Sequence, residues 1–258
     1  MLRLHAADDN AAMEPEPPKA DPLKTDPPKR KRRWFQFSLR TVMVFTLICA
    51  VPCAWLGRRI EQKRRERQAL EVILKLGGRV TYDYELADVS PTGPDWLRKL
   101  LGEDFFNEIV EGDFRGAGST DFGLENFKAM THLYALHLGT SSASDAGLEH
   151  LKGLTQLQVL FLDETKVSDA GLEYLQGLTE LHFLRLGETN ITDAGLVNLE
   201  GLKQLQELFL NNTRVSDAGL TSLMKLTRLQ ILDLTGTNVT DAGVQDLQRA
   251  LPNCKIEH

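Results

Sequence analysis

The feature that most constrains this chain is a 24-residue period that runs five times without a slip. The copies are MTHLYALHLGTSSASDAGLEHLKG, LTQLQVLFLDETKVSDAGLEYLQG, LTELHFLRLGETNITDAGLVNLEG, LKQLQELFLNNTRVSDAGLTSLMK and LTRLQILDLTGTNVTDAGVQDLQR, from Met130 to Arg249. Asp145, Asp169, Asp193, Asp217 and Asp241 recur in one phase, each in a Ser/Thr-Asp-Ala-Gly context. A strict period in the twenties leaves one class of solution: a stack of identical strand-and-helix units, each burying the apolar edge of its neighbour.

The residue pattern inside one copy says which unit. In LQVLFL, Leu157, Leu160 and Leu162 face the core, while Val159 and Phe161 point outward, as in a short strand with one buried face. Thr165, with Thr189, Thr213, Thr237 and Ser141 at the equivalent place, supplies a hydroxyl where the chain leaves the sheet and is expected to bond backbone groups there. Ser168 and its equivalents Thr192, Ser216 and Thr240 are then N-caps. Val167, Ile191, Val215 and Val239 are placed to staple onto Leu172, Leu196, Leu220 and Val244. The Asp after each cap falls in the first helical turn, where the backbone dipole favours an anion. Stacked at roughly 4.8 Å, these carboxylates form a column of like charge. No second acidic column at a fixed offset completes a calcium shell. The expected fold is an α/β leucine-rich-repeat solenoid, a parallel concave sheet backed by short convex helices, with a single transmembrane helix ahead of it.

Charge is divided along the chain. Residues 1–75 hold sixteen Lys/Arg against nine Asp/Glu, net +7, and the remainder holds fourteen against twenty-seven, net −13. An acidic solenoid excludes nucleic acid as its partner, because phosphate contacts need cations on the binding face. Residues 1–33 form a Pro- and charge-rich tail with a basic end, read as disordered. Within 39–57 the run Thr41–Gly57 carries no charge, and Trp34, Trp55, Arg40, Arg58 and Arg59 flank it, so a membrane span and contact with the lipid bilayer are expected there. Six basic residues on each side leave orientation to the habit of N-terminal anchors, which puts the solenoid on the non-cytoplasmic side. Residues 58–105 are expected to form a juxtamembrane helix and an N-terminal cap, with Ala69, Leu70, Ile73, Leu74 and Leu76 on its packing side, Gly77-Gly78 as its stop and Val80, Tyr82 and Tyr84 on one face of a strand. Residues 106–258 form the solenoid. It begins with a degenerate repeat (Ile109, Phe114, Asp121 and Leu124 in register) and ends in a brief strand, Cys254–Ile256.

The combination of RRWFQFSLRT before a single span, LGGRVTYDYE, WLRKLLGEDFF and the TDAGL-type repeats resembles the short membrane-anchored leucine-rich-repeat proteins of planctomycete bacteria, nearly throughout from Arg32 onward. The repeats alone are also similar to those of F-box-associated proteins, but no F-box-like domain precedes them. The resemblance implies fold and anchoring; it brings no ligand or activity.

Function is expected on the concave face. Its central column reads Asp113, His137, Phe161, Arg185, Phe209, Asp233. Beside it run Glu111, Ala135, Val159, Phe183, Glu207, Ile231 and Arg115, Gly139, Asp163, Gly187, Asn211, Thr235. Exposed aromatics around an Arg are what protein interfaces use as anchors. The partner site is therefore assigned to His137, Val159, Phe161, Phe183, Arg185, Glu207, Phe209 and Asp233, with a protein or peptide as occupant. Phe residues that merely stack to strengthen the sheet are the competing explanation, and a cell-envelope spacer is the competing function. An enzyme would have to use His137 with Asp113 or Asp163. There is no phosphate loop, metal-ligand spacing or nucleophile elbow, so no catalysis, cofactor or metal is expected.

Overall fold

A computed structural model describes residues 39–87, 92–115 and 121–258; of the side chains in 39–50, it describes those of Met43, Thr46 and Ala50. The expected tail, 1–33, lies outside the described residues. The chain divides into two units, Met1–Ala50 and Val51–His258. In the first, the backbone of helix α1 (Leu39–Lys75) begins, and Thr46 Oγ1 donates to the Met43 carbonyl at 2.8 Å. The expected span at 39–57 falls on this helix, where most side chains before Val51 are outside the described residues. Among the described residues no helix is long and apolar enough to cross a membrane.

The second unit holds an eight-stranded sheet in strict chain order, β1 (Arg79–Tyr82) to β8 (Lys255–Glu257). Strand β1 pairs antiparallel with β2 (Ile109–Asp113). From there β3 (Ala135–His137), β4 (Val159–Phe161), β5 (Phe183–Arg185), β6 (Glu207–Phe209), β7 (Ile231–Asp233) and β8 follow in parallel, each residue beside the one 24 positions on. Opposite the sheet lie single-turn helices such as α6 (Asp169–Leu172), four of which are continued by a 3₁₀ turn, and a last helix, Asp241–Ala250, of ten residues. Leucines at three strand-side and three helix-side positions per repeat are fully buried: Leu157, Leu160, Leu162, Leu172, Leu175 and Leu178 in one turn of the coil. Burial of such a side chain contributes about 1.5–3 kcal/mol, so the core grows by equal increments with every copy.

The expected hydroxyl role after the strand is observed. Thr165, Thr189, Thr213 and Thr237 donate to the carbonyls of Leu162, Leu186, Leu210 and Leu234 at 2.5–2.7 Å. Ser141 differs, accepting from Ala143 N at 3.2 Å.

The Asp column requires a correction. Asp145, Asp169 and Asp193 begin their own helices, whereas the helix after Asp217 starts only at Leu220, and all four carboxylates are aimed at the next repeat. Asp145 Oδ1 accepts from Ser168 N at 2.7 Å and its Oδ2 from Ser168 Oγ at 2.5 Å. Asp121, Asp169, Asp193 and Asp217 grip Ser144, Thr192, Ser216 and Thr240 in the same way. Of the expected caps, Ser144 and Ser168 make no side-chain cap bond, Ser216 precedes a helix that begins only at Leu220, and Thr192 and Thr240 accept from Ala194 N and Gly243 N while donating to Asp169 and Asp217. The column is a set of clamps between repeats, each two charge-assisted bonds strong. It also explains the Gly of the motif: a Cβ at Gly219 would lie 2.5 Å from Asp193 Oδ1 and 3.1 Å from its Cα. The carboxylate of the fifth copy, Asp241, lies 3.0 Å from His258 Nε2.

One turn position was not legible. Thr140, Glu164, Glu188 and Asn212 adopt φ of 56–59°, and Gly236 φ of 69° at the equivalent place in the last copy. A non-glycine residue there costs roughly 1–2 kcal/mol.

The N-terminal cap is closed by α1. Ala69 and Ile73 are buried and Leu70 and Leu76 half-buried against the core, but Leu74, expected on that side, is exposed. In the basic stretch, Lys63 is only 2% exposed. Its Nζ donates to Glu66 Oε2 (2.7 Å), Glu108 Oε2 (2.9 Å) and the Asn107 carbonyl (2.6 Å), and Arg59 also pairs with Glu108. Arg67 makes two 2.7 Å bonds to Asp104. Three of the six flanking cations thus bind the cap. Burial acts to raise the Glu108 carboxyl, but the bonds from Lys63 and Arg59 outweigh it and hold it below its ordinary range. The expected Val80–Tyr84 strand ends at Tyr82; Tyr84 belongs to α2 (Asp83–Leu86), and the Tyr82 and Tyr84 rings stack at 5.6 Å. At the other end Cys254 is buried, its thiol pushed up to about 11 by burial, one residue ahead of the closing strand.

Candidate functional site

Strands β3 to β8 are three residues long, and only the first and third residues of each face outward, so the surface is a grid fixed by register. The parallel pairing places Phe161 beside Arg185 and Arg185 beside Phe209, with His137 and Asp233 continuing the column at either end. Val159, Phe183 and Glu207 form the adjacent column, between Ala135 and Ile231. The three Phe, Val159, Arg185, Glu207 and Asp233 are all half-buried by their neighbours.

The rings form a continuous row. His137 stacks on Phe161 at 4.4 Å and 17°, Phe161 lies 5.0 Å from Phe183, and Phe183 5.3 Å from Phe209. Arg185 sits between two of them, its guanidinium carbon 5.9 Å from the Phe161 centroid and 5.3 Å from that of Phe209. Its Nε lies 3.2 Å from Asp163 Oδ1. Stacking across a sheet and cation–π contacts contribute about 0.5–1.5 kcal/mol each, enough to hold these side chains in one arrangement. Gly139 and Gly187 in the third column leave room for the side chains of Asp163 and Asn211 on the next strands.

The charges around the row are sorted into pairs. His137 Nε2 is 3.0 Å from Glu111 Oε1. Asp113 is bonded by Arg115, whose side-chain hydrogen bond holds its carboxyl below the ordinary range despite partial burial. The acid–base pairing considered from sequence is therefore not formed: Asp113 belongs to Arg115, Asp163 to Arg185, and the carboxylate at His137 is Glu111. That partner sits two residues before Asp113 on the same strand face, one column over, and sequence reasoning missed it. Among the described residues no three His, Cys, Asp or Glu side chains gather as a metal site requires.

Comparison with known proteins agrees on the repeat. A family profile described as Leucine Rich repeat matches residues 225–247. Among solved structures, an internalin (inlF) from Listeria monocytogenes is 28% identical with a TM-score of 0.46, covering 52% of this chain and 36% of that one. Internalin C2 from the same species is 21% identical, TM-score 0.37, covering 59% and 81%. A leucine-rich-repeat protein of Leptospira interrogans is 19% identical, TM-score 0.40, covering 52% and 39%. This chain spans about a third of the length of the first of these. No curated protein matches it in sequence.

Proposed function

We propose that this protein is a membrane-anchored leucine-rich-repeat scaffold that binds a protein or peptide partner on its concave face and catalyses nothing itself. The observation that carries the reading is the His137–Phe161–Phe183–Phe209 ring row with Arg185 held between two of its members. Rigid aromatics and a pre-oriented Arg lose little side-chain freedom on binding, and such residues dominate interface energetics. Glu207 and Asp233, at the C-terminal side of the row, supply the polar rim. Anchoring is supported by the uncharged run Thr41–Gly57 between basic blocks, and the solenoid is assigned to the non-cytoplasmic side.

Alanine at Phe161 and Phe209 with Arg185→Glu tests the docking face. Loss of a partner recovered with the wild-type chain, at unchanged circular dichroism at the assay temperature, is the expected outcome. Indifference would favour the spacer reading. Protease treatment of intact cells, with a tag after His258, tests the side: the tag should be lost without lysis.

A further inference from the structure

We infer that the protein partner inserts a basic side chain, an Arg or a Lys, between Glu207 and Asp233 of the concave face. This deepens the docking reading above and rests on it.

The observation is a charge balance left open at one place. The outward cations of the sheet are already taken: Arg115 by Asp113, Arg185 by Asp163 and Lys255 by Glu257. Glu111 faces His137. Among the described residues no cation pairs with Glu207 or Asp233, and Asp233 Oδ1 accepts from the Thr235 backbone at 2.9 Å. Lys255 brings one positive charge to an end of the face that holds Glu207, Asp233 and Glu257. That end therefore stays two charges short wherever the Lys255 side chain turns. A basic segment restores the balance, and an anionic one would meet two unpaired carboxylates.

Register makes the two carboxylates corners of one cell. Glu207 lies beside Ile231 and Phe209 beside Asp233, so the acids occupy one diagonal and the apolar pair the other. Strand spacing and the rise of two residues put the acid diagonal at about 8 Å between Cα atoms. All four side chains are half-buried. A cation seated there meets both carboxylates, and its aliphatic stem packs on Ile231 and the Phe209 ring.

The chain itself shows what such a cell holds. One strand earlier, Arg185 lies 5.3 Å from the Phe209 centroid and 3.2 Å from Asp163. Guanidinium, ring and carboxylate are thus already combined on this face. On the Asp233 side of Phe209 the ring and the acids recur without the cation, because both ring contacts of Phe209, Phe183 and Arg185, come from β5. The occupant supplies what the sheet omits. The Phe161–Phe183 pair stands two strand spacings away, about 10 Å, which about three residues of extended chain cover. One segment carrying an apolar and a basic side chain reaches both.

The probe is a display library of random linear peptides, selected on the full-length protein in detergent. Binders lost with Phe161→Ala/Phe183→Ala are concave-face ligands, and these should be enriched in Arg and Lys over the unselected library. Replacing the Arg of such a binder by citrulline, or its Lys by norleucine, should weaken it about tenfold on the wild-type protein, between the exposed and desolvated limits for a charge pair. The same replacement should change nothing on Glu207→Gln/Asp233→Asn, which keeps side-chain size; circular dichroism checks the fold of each variant. Concave-face binders with no excess of basic residues, or an equal replacement effect on both proteins, would overturn the inference and keep the docking face. Failure to select any binder that depends on Phe161 and Phe183 would overturn the docking reading and the inference with it.

Discussion

Along the repeat junctions Asp121, Asp145, Asp169, Asp193 and Asp217 make the same two bonds five times over. On the concave face of the same repeats the central column runs Asp113, His137, Phe161, Arg185, Phe209, Asp233, and no two neighbours match. Both sets of side chains stand on identical backbone, so the repeats act as each other's controls. A position the coil needs is filled identically in each copy; a position it leaves free is filled differently. The difference separates the residues that build the solenoid from those available for recognition.

The largest effect belongs to a residue that is unrepeated yet structural, and it limits how far that comparison extends. Lys63→Ala leaves Glu66 buried without its cation and Glu108 with Arg59 alone, and breaking a buried pair costs about 3–5 kcal/mol. Urea unfolding should show that loss, with hydrogen exchange rising first in α1 and β2. Next comes the clamp. Gly195→Ala drives a Cβ into the Asp169 carboxylate, 3.0 Å from its Cγ, and overpacking of this kind costs about 1–3 kcal/mol. Asp169→Ala, half-exposed, should cost about 1–2 kcal/mol through its two lost bonds. Because it also removes the obstruction, the double variant should be more stable than the sum of the two losses requires. Equal additivity in a denaturation cycle would contradict the clamp.

Acid should act on both regions in the same direction. The folded Asp217 carboxyl is lowered by the Thr240 hydroxyl and backbone bonds, and the Glu108 carboxyl is lowered as well. A depressed folded value means the stabilisation is complete above the ordinary values of 3.8 and 4.5 and is lost as pH falls through the folded ones. Stability followed by circular dichroism should be level above about pH 5 and fall below it. The smallest effect is a gain. Glu188→Gly relieves a left-handed turn worth about 1–2 kcal/mol, of which glycine's freedom in the unfolded chain returns part, so stability should rise by less than about 1 kcal/mol.

Most of the fold could be read from the sequence because one period carried both the strand alternation and the helix start. Register followed from it, and with register the grid of Phe161, Phe183, Arg185 and Phe209. Its pairings did not follow. His137 met Glu111 while Asp113 is taken by Arg115 and Asp163 by Arg185, pairings that spacing does not encode. The clamp escaped notice because its bond joins residues 23 apart; the signal was present in the joint recurrence of Ser/Thr, Asp and Gly, since a capping role alone gives no reason for the Gly. Lys63 was hidden in a run of cations of which Arg58, Arg64 and Arg65 are solvated. Only the chain's return at Asn107 and Glu108 makes it a buried residue.

The most direct test of the concave face is photo-crosslinking in cells from an unnatural residue at Phe183, with Glu173 on the convex side as the control. The account predicts a discrete adduct from position 183 that disappears with Arg185→Glu, and none from position 173. Adducts of equal yield from both positions, or an adduct at 183 indifferent to Arg185→Glu, would contradict it.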